Sequence, residues 1–304
     1  MDHPQFVEHD EPEDVFTLLS DDNRIDILRA LWNSDDLMTF SALHDAVDIR
    51  DSGQFNYHLD KLVGQFVTKT EEGYELTAAG WQVNGAIEAG SYTAKGRMEP
   101  IAIDPPCPAC DGSRTFYYEN EVARVECDTC DVRMEFPIPP STFVNCNRED
   151  IPTVAGKYLR TTIKGLDTGF CAQCDGPVER TACHVTDSSL WDSSVDDVDQ
   201  QLGNVSDMPV VEYECLQCGR EPTSGLPFSL LTHPEVVGFH YDRGIDIRRR
   251  SIWEFTPFGT EHAQVTSNDP FRASVSFIAG DDKLTLIVDE EITVLETTVT
   301  TTAE

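Results

Sequence analysis

Lysine is scarce, with six residues in 304, and no run of 18 apolar residues occurs anywhere in the chain. The second absence excludes a membrane-spanning helix. The opening Met1-Asp2-His3-Pro4-Gln5 has neither a basic nor an apolar run, so no secretory leader is expected and the expected compartment is the cytoplasm. No glycine-rich phosphate loop, Gly-x-Ser-x-Gly elbow or His-Glu-x-x-His is found, so an enzyme is not expected. Positive charge is also short: 22 Lys and Arg stand against 55 Asp and Glu, for a net charge of −33. In dilute salt such a field repels phosphates and makes polyanion binding a poor expectation. Cysteine is missing before residue 107 and after residue 218, so all ten lie within one central stretch of the chain.

Apolar material is not missing. Hydrophobic residues make up 39%, with 15 Phe, 8 Tyr and 4 Trp, which suffices for the cores of two or three domains. The acidity is spread along the chain as pairs at 21–22, 35–36, 71–72, 196–197, 281–282 and 290–291. That pattern reads as a surface for a cytoplasm holding molar potassium chloride. The Debye length there is about 3 Å, so carboxylates no longer repel one another strongly and serve to hold water. Repulsion from nucleic acid shrinks for the same reason.

Residues 10–93 show helical periodicity. Asp14–Leu19, Asp22–Trp32 and Thr39–Val47 each carry apolar residues at spacings of three and four. Asp51-Ser52-Gly53-Gln54 sets an acceptor at a helix start with Gln at the third position. The helix it opens runs through Leu62 and buries Phe55, Leu59 and Leu62, which leaves Gln54, Tyr57 and Lys61 outside with Asp60. His58 is expected inside. Phe66–Thr70 and Tyr74–Thr77 flank Glu71-Glu72-Gly73 as a hairpin, and Ala78–Ala89 is a last helix with Trp81 and Ile87. Residues 94–106 read as a linker, because prolines at 100, 105 and 106 bar a continuous helix.

This order is that of a winged helix. Phe16–Leu31, Tyr57-His58-Leu59-Asp60-Lys61-Leu62 and Tyr74-Glu75-Leu76-Thr77-Ala78-Ala79-Gly80 resemble the ArsR-type winged-helix regulators, in particular a haloarchaeal branch with a zinc-ribbon-like C-terminal region. The resemblance covers roughly residues 13–90. It implies a homodimer that binds double-stranded DNA with the 51–63 helix in the major groove. The metal-sensing cysteines of the family's founders would lie on that helix; this chain has none there, so that property is not carried over.

Residues 1–97 hold 7 basic against 19 acidic side chains, so DNA binding must rest on direct contacts. Gln54 and Asn56 suit adenine, Ser52 and Tyr57 suit phosphate, sugar or base edges, and Lys61 and Lys69 suit phosphates. The acidic wing residues Glu71, Glu72 and Glu75 favour instead a module for protein contacts. Trp81 and Ile87, with small residues around them, and Phe16 form the expected dimer interface.

Cys107-Pro108-Ala109-Cys110 and Cys127-Asp128-Thr129-Cys130 are separated by 16 residues. Each Cys-x-x-Cys offers two thiolates, and two such pairs close a tetrahedral zinc site without an open position. A hairpin turning at Asn120-Glu121 joins them. Cys171, Cys174, Cys215 and Cys218 form a second set across 40 residues, of which 187–207 is an acidic insert with an amphipathic stripe on Val195, Val198 and Leu202. Without it 19 residues remain, again ribbon spacing. Cys183-His184 is an alternative source of a ligand, and Cys146 is expected as a small core residue. Arg148–Leu166 reads as a helix with Lys157, Arg160 and Lys164 on one solvated face. Arg243 and Arg248–Arg250 are expected to pair with acidic neighbours or to recognise an anion. Ser251–Thr256, Phe271–Ile278, Lys283–Val288 and Ile292–Val299 alternate as a meander.

The expected class is therefore α+β: a winged helix-turn-helix at 10–93, a linker at 94–106, a first zinc ribbon at 107–136, helical segments with a second ribbon (171–218) at 137–250, and an antiparallel sheet at 251–304. The expected function is operator binding by a halophilic archaeal transcription regulator with about two structural zinc ions per chain. The alternatives are an adaptor that engages the transcription machinery through its ribbons, or a metal- or redox-responsive switch.

Overall fold

A computed structural model describes residues 10–107, 110–130, 132–189, 207–254 and 262–301. The chain is mixed α and β, its sheets are antiparallel, and it divides into two units. One comprises the residues up to Ala94 with Pro139–Ser141; the other comprises Lys95–Ile138 and Thr142 onward. Among the described residues no helix is long and apolar enough to cross a membrane.

The first unit runs α1 (Pro12–Thr17), α2 (Asp22–Trp32), α3 (Phe40–Asp45), α4 (Ser52–Leu62), β1 (Val67–Lys69), β2 (Tyr74–Leu76) and α5 (Ala78–Glu88). Side-chain caps fix where its helices start. Asp21 accepts from Asn23 N, Thr39 from Ala42 N, Asp51 from Gln54 N and Thr77 from Gly80 N, at 2.7–3.2 Å, each satisfying a donor that the helix itself leaves open. Ile27, Leu28, Leu31, Leu43, Phe55, Leu59 and Leu62 then meet in one core. His58 is buried with them, as expected, with Nδ1 3.5 Å from Asp21.

The second unit contains β3 (Arg97–Ile103), β4 (Arg114–Glu119), β5 (Val122–Cys127) and β6 (Arg133–Pro137) in one sheet of that order. Residues 94–106 are therefore not simply a linker. Pro100 bars a helix but not a strand here, since β3 is an edge strand and its register shifts between Met98 and Ile101; bulged edges are where strands accept proline. The β4–β5 hairpin turns at Asn120 and Glu121, both at positive φ (50° and 65°), the turn that matches strand twist.

Next come α6 (Ile151–Asp167), β7 (Val178–His184), β8 (Pro209–Cys215), β9 (Thr223–Gly225), α7 (Leu226–Leu230) and α8 (Pro234–Tyr241). β10 (Ala263–Asn268), β11 (Phe271–Ala279), β12 (Asp282–Val288) and β13 (Val294–Thr301) form a four-stranded meander. Its first strand is not the expected one. Ile252–Glu254 is a short 3-10 turn, because Trp253 buries its ring and donates Nε1–H to Pro152 O at 2.7 Å; residues 255 and 256 lie outside the described residues. Arg160 also departs from expectation: rather than sharing a solvated face with Lys157 and Lys164, it donates to the carbonyls of Ile247 and Arg250. The arginine run is paired, Arg243 with Asp282 at 2.8 Å, Arg248 with Asp246 at 2.8 Å, Arg249 with Asp246 at 3.5 Å and Arg250 with Glu254 at 3.0 Å. The stripe of Val195, Val198 and Leu202 lies outside the described residues.

Candidate metal centres and a candidate nucleic-acid face

Each half-site is one tight backbone loop used repeatedly. In the loops that start at Cys107, Cys171 and Cys215, the first cysteine's N–H donates to the carbonyl five residues on, and its own carbonyl accepts the N–H four residues on, at 2.8–3.0 Å. The residue at that fourth position is left-handed in all three: Asp111, Asp175 and Gly219 have φ of 57°, 55° and 68°. Cys127 N–H donates to Val132 O in the same way. Further N–H groups point at sulfur, from Thr129 to Cys127 Sγ, Gln173 to Cys171 Sγ and Cys218 to Cys215 Sγ, at 3.4–3.5 Å. Gly112 and Gly176 follow the second cysteine by two residues. A Cβ at Gly112 would stand 2.5 Å from Thr129 Oγ1, and one at Gly176 would stand 2.4 Å from Gln217 Cβ, so neither loop admits a side chain there.

β4, β5 and their flanks bring Cys107, Cys110, Cys127 and Cys130 together, and α6, β7 and β8 bring Cys171, Cys174, Cys215 and Cys218 together. In each cluster the four sulfurs lie within 4.8 Å of one another. Cross-loop Sγ···Sγ distances are 3.8 and 3.5 Å in the first cluster and 3.8 and 3.5 Å in the second. A disulfide requires about 2.05 Å. Four thiolates around one tetrahedral ion with metal–sulfur bonds of about 2.3 Å would stand ~3.8 Å apart. The two clusters thus fit two metal sites and are compatible with zinc. Cys183 and His184 belong to neither cluster: Cys183 is pushed up to about 11 by burial and by Glu212 and Asp187, and His184 Nε2 lies 2.6 Å from Asn268 Oδ1. Cys146 is half-buried against the larger core, its Sγ 3.4 Å from Asn147 O.

Charge is managed within each cluster. Burial works against the Cys127 thiolate, yet the N–H groups of Thr129 and Cys130 and the nearby thiols bring its pKa down to about 7. The Cys218 N–H, against burial and with help from the Gln217 N–H and the Cys174 and Cys218 thiols, draws Cys215 down to about 6. For Cys174 the Gly176 N–H is outweighed by burial and the other three thiols, which push it up to about 12. One sulfur in each set ionises readily and raises its neighbours, an arrangement that a bound dication would complete.

The chain belongs to the DUF7351 family. That family's model, described as a domain of unknown function, matches residues 104–294, and a second, DUF7347, also a domain of unknown function, matches residues 12–87. Neither a curated protein nor a solved structure matches the chain. Both cysteine clusters fall inside the DUF7351 match.

Two clamps that the sequence did not disclose hold the clusters of the DUF7351 region. Arg114, 4% exposed, forks onto Pro105 O at 3.1 and 2.7 Å and reaches Trp253 O at 3.2 Å. It pairs in register with Cys127 and fixes the segment two residues before Cys107. In the second cluster, Tyr213 donates its hydroxyl to Asp167 Oδ1 at 2.6 Å and lies 2.7 Å from Ser229 Oγ. Asp167 precedes Cys171 by four residues and Tyr213 precedes Cys215 by two, so this bond ties the two loop-bearing segments together. A lone arginine or tyrosine in a strand carries no periodic signal of such a role.

Burial pushes the Asp167 carboxyl up to about 6, against the lowering effect of Tyr213 and of Arg180 at 3.6 Å. The folded protein therefore keeps a proton that the unfolded chain releases near pH 4. The contribution of Asp167 to stability is complete below about pH 4 and is lost as pH rises through about 6. Asp167→Asn keeps an oxygen for Tyr213 and removes the buried charge. It is expected to stabilise the fold by about 1–3 kcal/mol above pH 7, and to flatten the pH dependence between about 4 and 6. Denaturant titrations of the two proteins across pH would show equal slopes if this account were wrong.

In the first unit, Ser52, Gln54, Asn56, Tyr57 and Lys61 are all exposed on α4, and Lys69 is exposed on β1. Asn56 donates Nδ2–H to Asp60 at 2.8 Å, Lys61 stands 5.8 Å from the Tyr57 ring and Lys69 stands 5.6 Å from the Tyr74 ring. Phe16 is 67% and Trp81 49% exposed, with the Trp81 ring 4.9 Å from that of Trp32, and Ile87 is half-buried.

Proposed function

We propose that this chain is a non-enzymatic, cytoplasmic transcription regulator of the ArsR winged-helix type, from a halophilic archaeon. It binds double-stranded operator DNA as a homodimer, and two structural zinc ions brace its second unit. The observation that carries the reading is α4. Its buried stripe of Phe55, Leu59 and Leu62 holds it on the core, while an outer face of Ser52, Gln54, Asn56, Tyr57 and Lys61, shared with Asp60, presents donors and acceptors, the requirement for a helix that reads base edges. A hairpin, β1–β2, follows it as a wing would. The half-exposed Trp81 on α5, with Ile87 and with Phe16 of α1, supplies the apolar surface for a two-fold partner. The charge of −33 supports working in molar salt, where screening is nearly complete.

A specific observation favours a second reading: Glu71, Glu72 and Glu75 are all exposed on the hairpin, which suits a protein partner, such as the transcription machinery, better than phosphates.

Mapping of DNA occupancy in the native high-salt cell tests the first reading. Peaks sharing an inverted repeat support it, and flat occupancy favours the second. On a cognate site in molar potassium chloride, Gln54→Ala should cost about 1–3 kcal/mol of binding. Lys61→Ala should weaken binding evenly across sequences and lower the salt slope by about one. An unchanged affinity in the Gln54→Ala, Tyr57→Ala double variant would remove α4 from the interface.

A further inference from the structure

A cleft of the second unit belongs to neither cysteine cluster. It holds about 500 Å3 between β7, the start of α8 and the turn from β12 to β13, within the range of small-ligand sites, roughly 300–1,000 Å3. Two backbone irregularities converge on it. Ile292 is buried yet has φ of 63°, in the left-handed region where a β-branched residue is an outlier. Asp289 holds it there, since its Oδ1 accepts the N–H groups of Glu291 and Thr293 at 3.2 and 2.8 Å. Ala182 N–H donates to Glu290 O at 2.8 Å, which fastens the turn to β7. Strain held in place in this way clusters at ligand clamps. Just beyond, Ile287 pairs with Glu296 and Val288 with Val294, so Leu295 is an extra residue in β13. Such a bulge re-aims side chains, and Ile292, Val294 and Leu295 all line the cleft.

We infer that this cleft binds a small zwitterion with an aliphatic side chain, of the free amino acid class. Its polar lining carries both signs. Arg180 offers a guanidinium with five N–H donors. Its Nη1 stands 3.6 Å from Asp167 Oδ1, and that pair engages one nitrogen of the fork. His233 Nδ1 accepts the Glu235 N–H at 3.3 Å, so the neutral ring carries its hydrogen on Nε2 as a second donor. Glu235 and Glu291, both exposed, add two carboxylates to the same lining. A plain anion would meet these carboxylates, and a plain cation would meet Arg180. A ligand with one group of each sign satisfies both. Its carboxylate takes Arg180 and His233, its ammonium takes Glu235 or Glu291, and its side chain lies on Ile292, Val294 and Leu295. Molar salt leaves this selection intact, because groups in direct contact stand within a Debye length of about 3 Å. The cleft lies in the second unit, so the inference does not rest on the reading of α4 as a DNA-binding helix.

Calorimetry of the full-length, metal-loaded protein in molar potassium chloride tests the proposal, with L-leucine as the probe. Saturable binding with a Kd of about 1 mM or below is expected. 4-Methylpentanoate lacks the ammonium and 3-methylbutylamine lacks the carboxylate. Each should bind roughly ten- to hundred-fold more weakly, the value of one charged hydrogen-bonded contact. Arg180→Gln should weaken leucine by a similar factor and leave 3-methylbutylamine unchanged. Glu235→Gln combined with Glu291→Gln should weaken leucine and leave 4-methylpentanoate no weaker. Both glutamates are exposed, so circular dichroism of the double variant should match the parent, and its result stands even where Arg180→Gln disturbs Asp167. No saturable leucine binding at about 10 mM, equal binding of leucine and both analogues, or full leucine affinity in the folded double variant would overturn the proposal.

Discussion

Stripping metal from the purified protein is expected to unfold the second unit around both cysteine clusters. Four sulfurs within 4.8 Å in each cluster repel once ionised, and the N–H groups aimed at them favour ionisation. A dication resolves this, and in small sites such binding contributes on the order of 10 kcal/mol to folding. Elemental analysis of protein purified in high salt without chelator should give about two zinc per chain. Cys107→Ser should lose one of them and loosen β3–β6, and Cys215→Ser should lose the other and loosen β7–β9. Acid should release the metal, since protons compete for the thiolates. A chain that holds less than one metal ion, or that melts identically with and without chelator, would refute the assignment of these clusters as structural centres.

The second large effect is expected at Arg114. Its guanidinium is buried and holds three hydrogen bonds to the carbonyls of Pro105 and Trp253. Burial lowers its pKa, while Cys107 and Cys127 beside it favour its charged form. Removing it leaves two carbonyls unmatched and takes a positive charge from the first cluster. Arg114→Met should cost about 3 kcal/mol or more. Arg114→Lys should rescue little, because an ammonium cannot reproduce the fork. The readout specific to this role is metal retention: under graded chelator the first cluster should empty well before the second. Equal loss from both clusters would reduce Arg114 to a general packing residue.

Much of the helical unit was legible because its signals are local. The aspartates and threonines that cap α2, α3, α4 and α5 precede apolar stripes at helical spacing, so a short window of sequence contains both the start signal and the buried face. The two Cys-x-x-Cys pairs of each cluster are equally local, and a tetrahedral site needs them in twos. The β4–β5 turn was readable at Asn120-Glu121 for the same reason.

Three readings failed where a distant group decided. Pro100 breaks a helix, but only the pairing of β3 with β4 turned that stretch into a bulged edge strand. Ser251–Thr256 alternates like a strand, yet Trp253 found its partner a hundred residues earlier at Pro152 O. Arg160 matched a solvated stripe by spacing, and the carbonyls of Ile247 and Arg250 drew it inward.

The sequence by itself determined the helices of the first unit, the outer face of α4, and the Cys-x-x-Cys pairs, since the stripes and each pair are written in spacings of three to seven residues. Only the tertiary structure decided that Arg114 and the Asp167–Tyr213 pair clamp the cysteine sets, and that β13 is the last strand of its sheet among the described residues. A buried arginine, aspartate or tyrosine is settled by the polar groups that reach it from elsewhere in the chain, and an edge exists only once every other strand has found its neighbour.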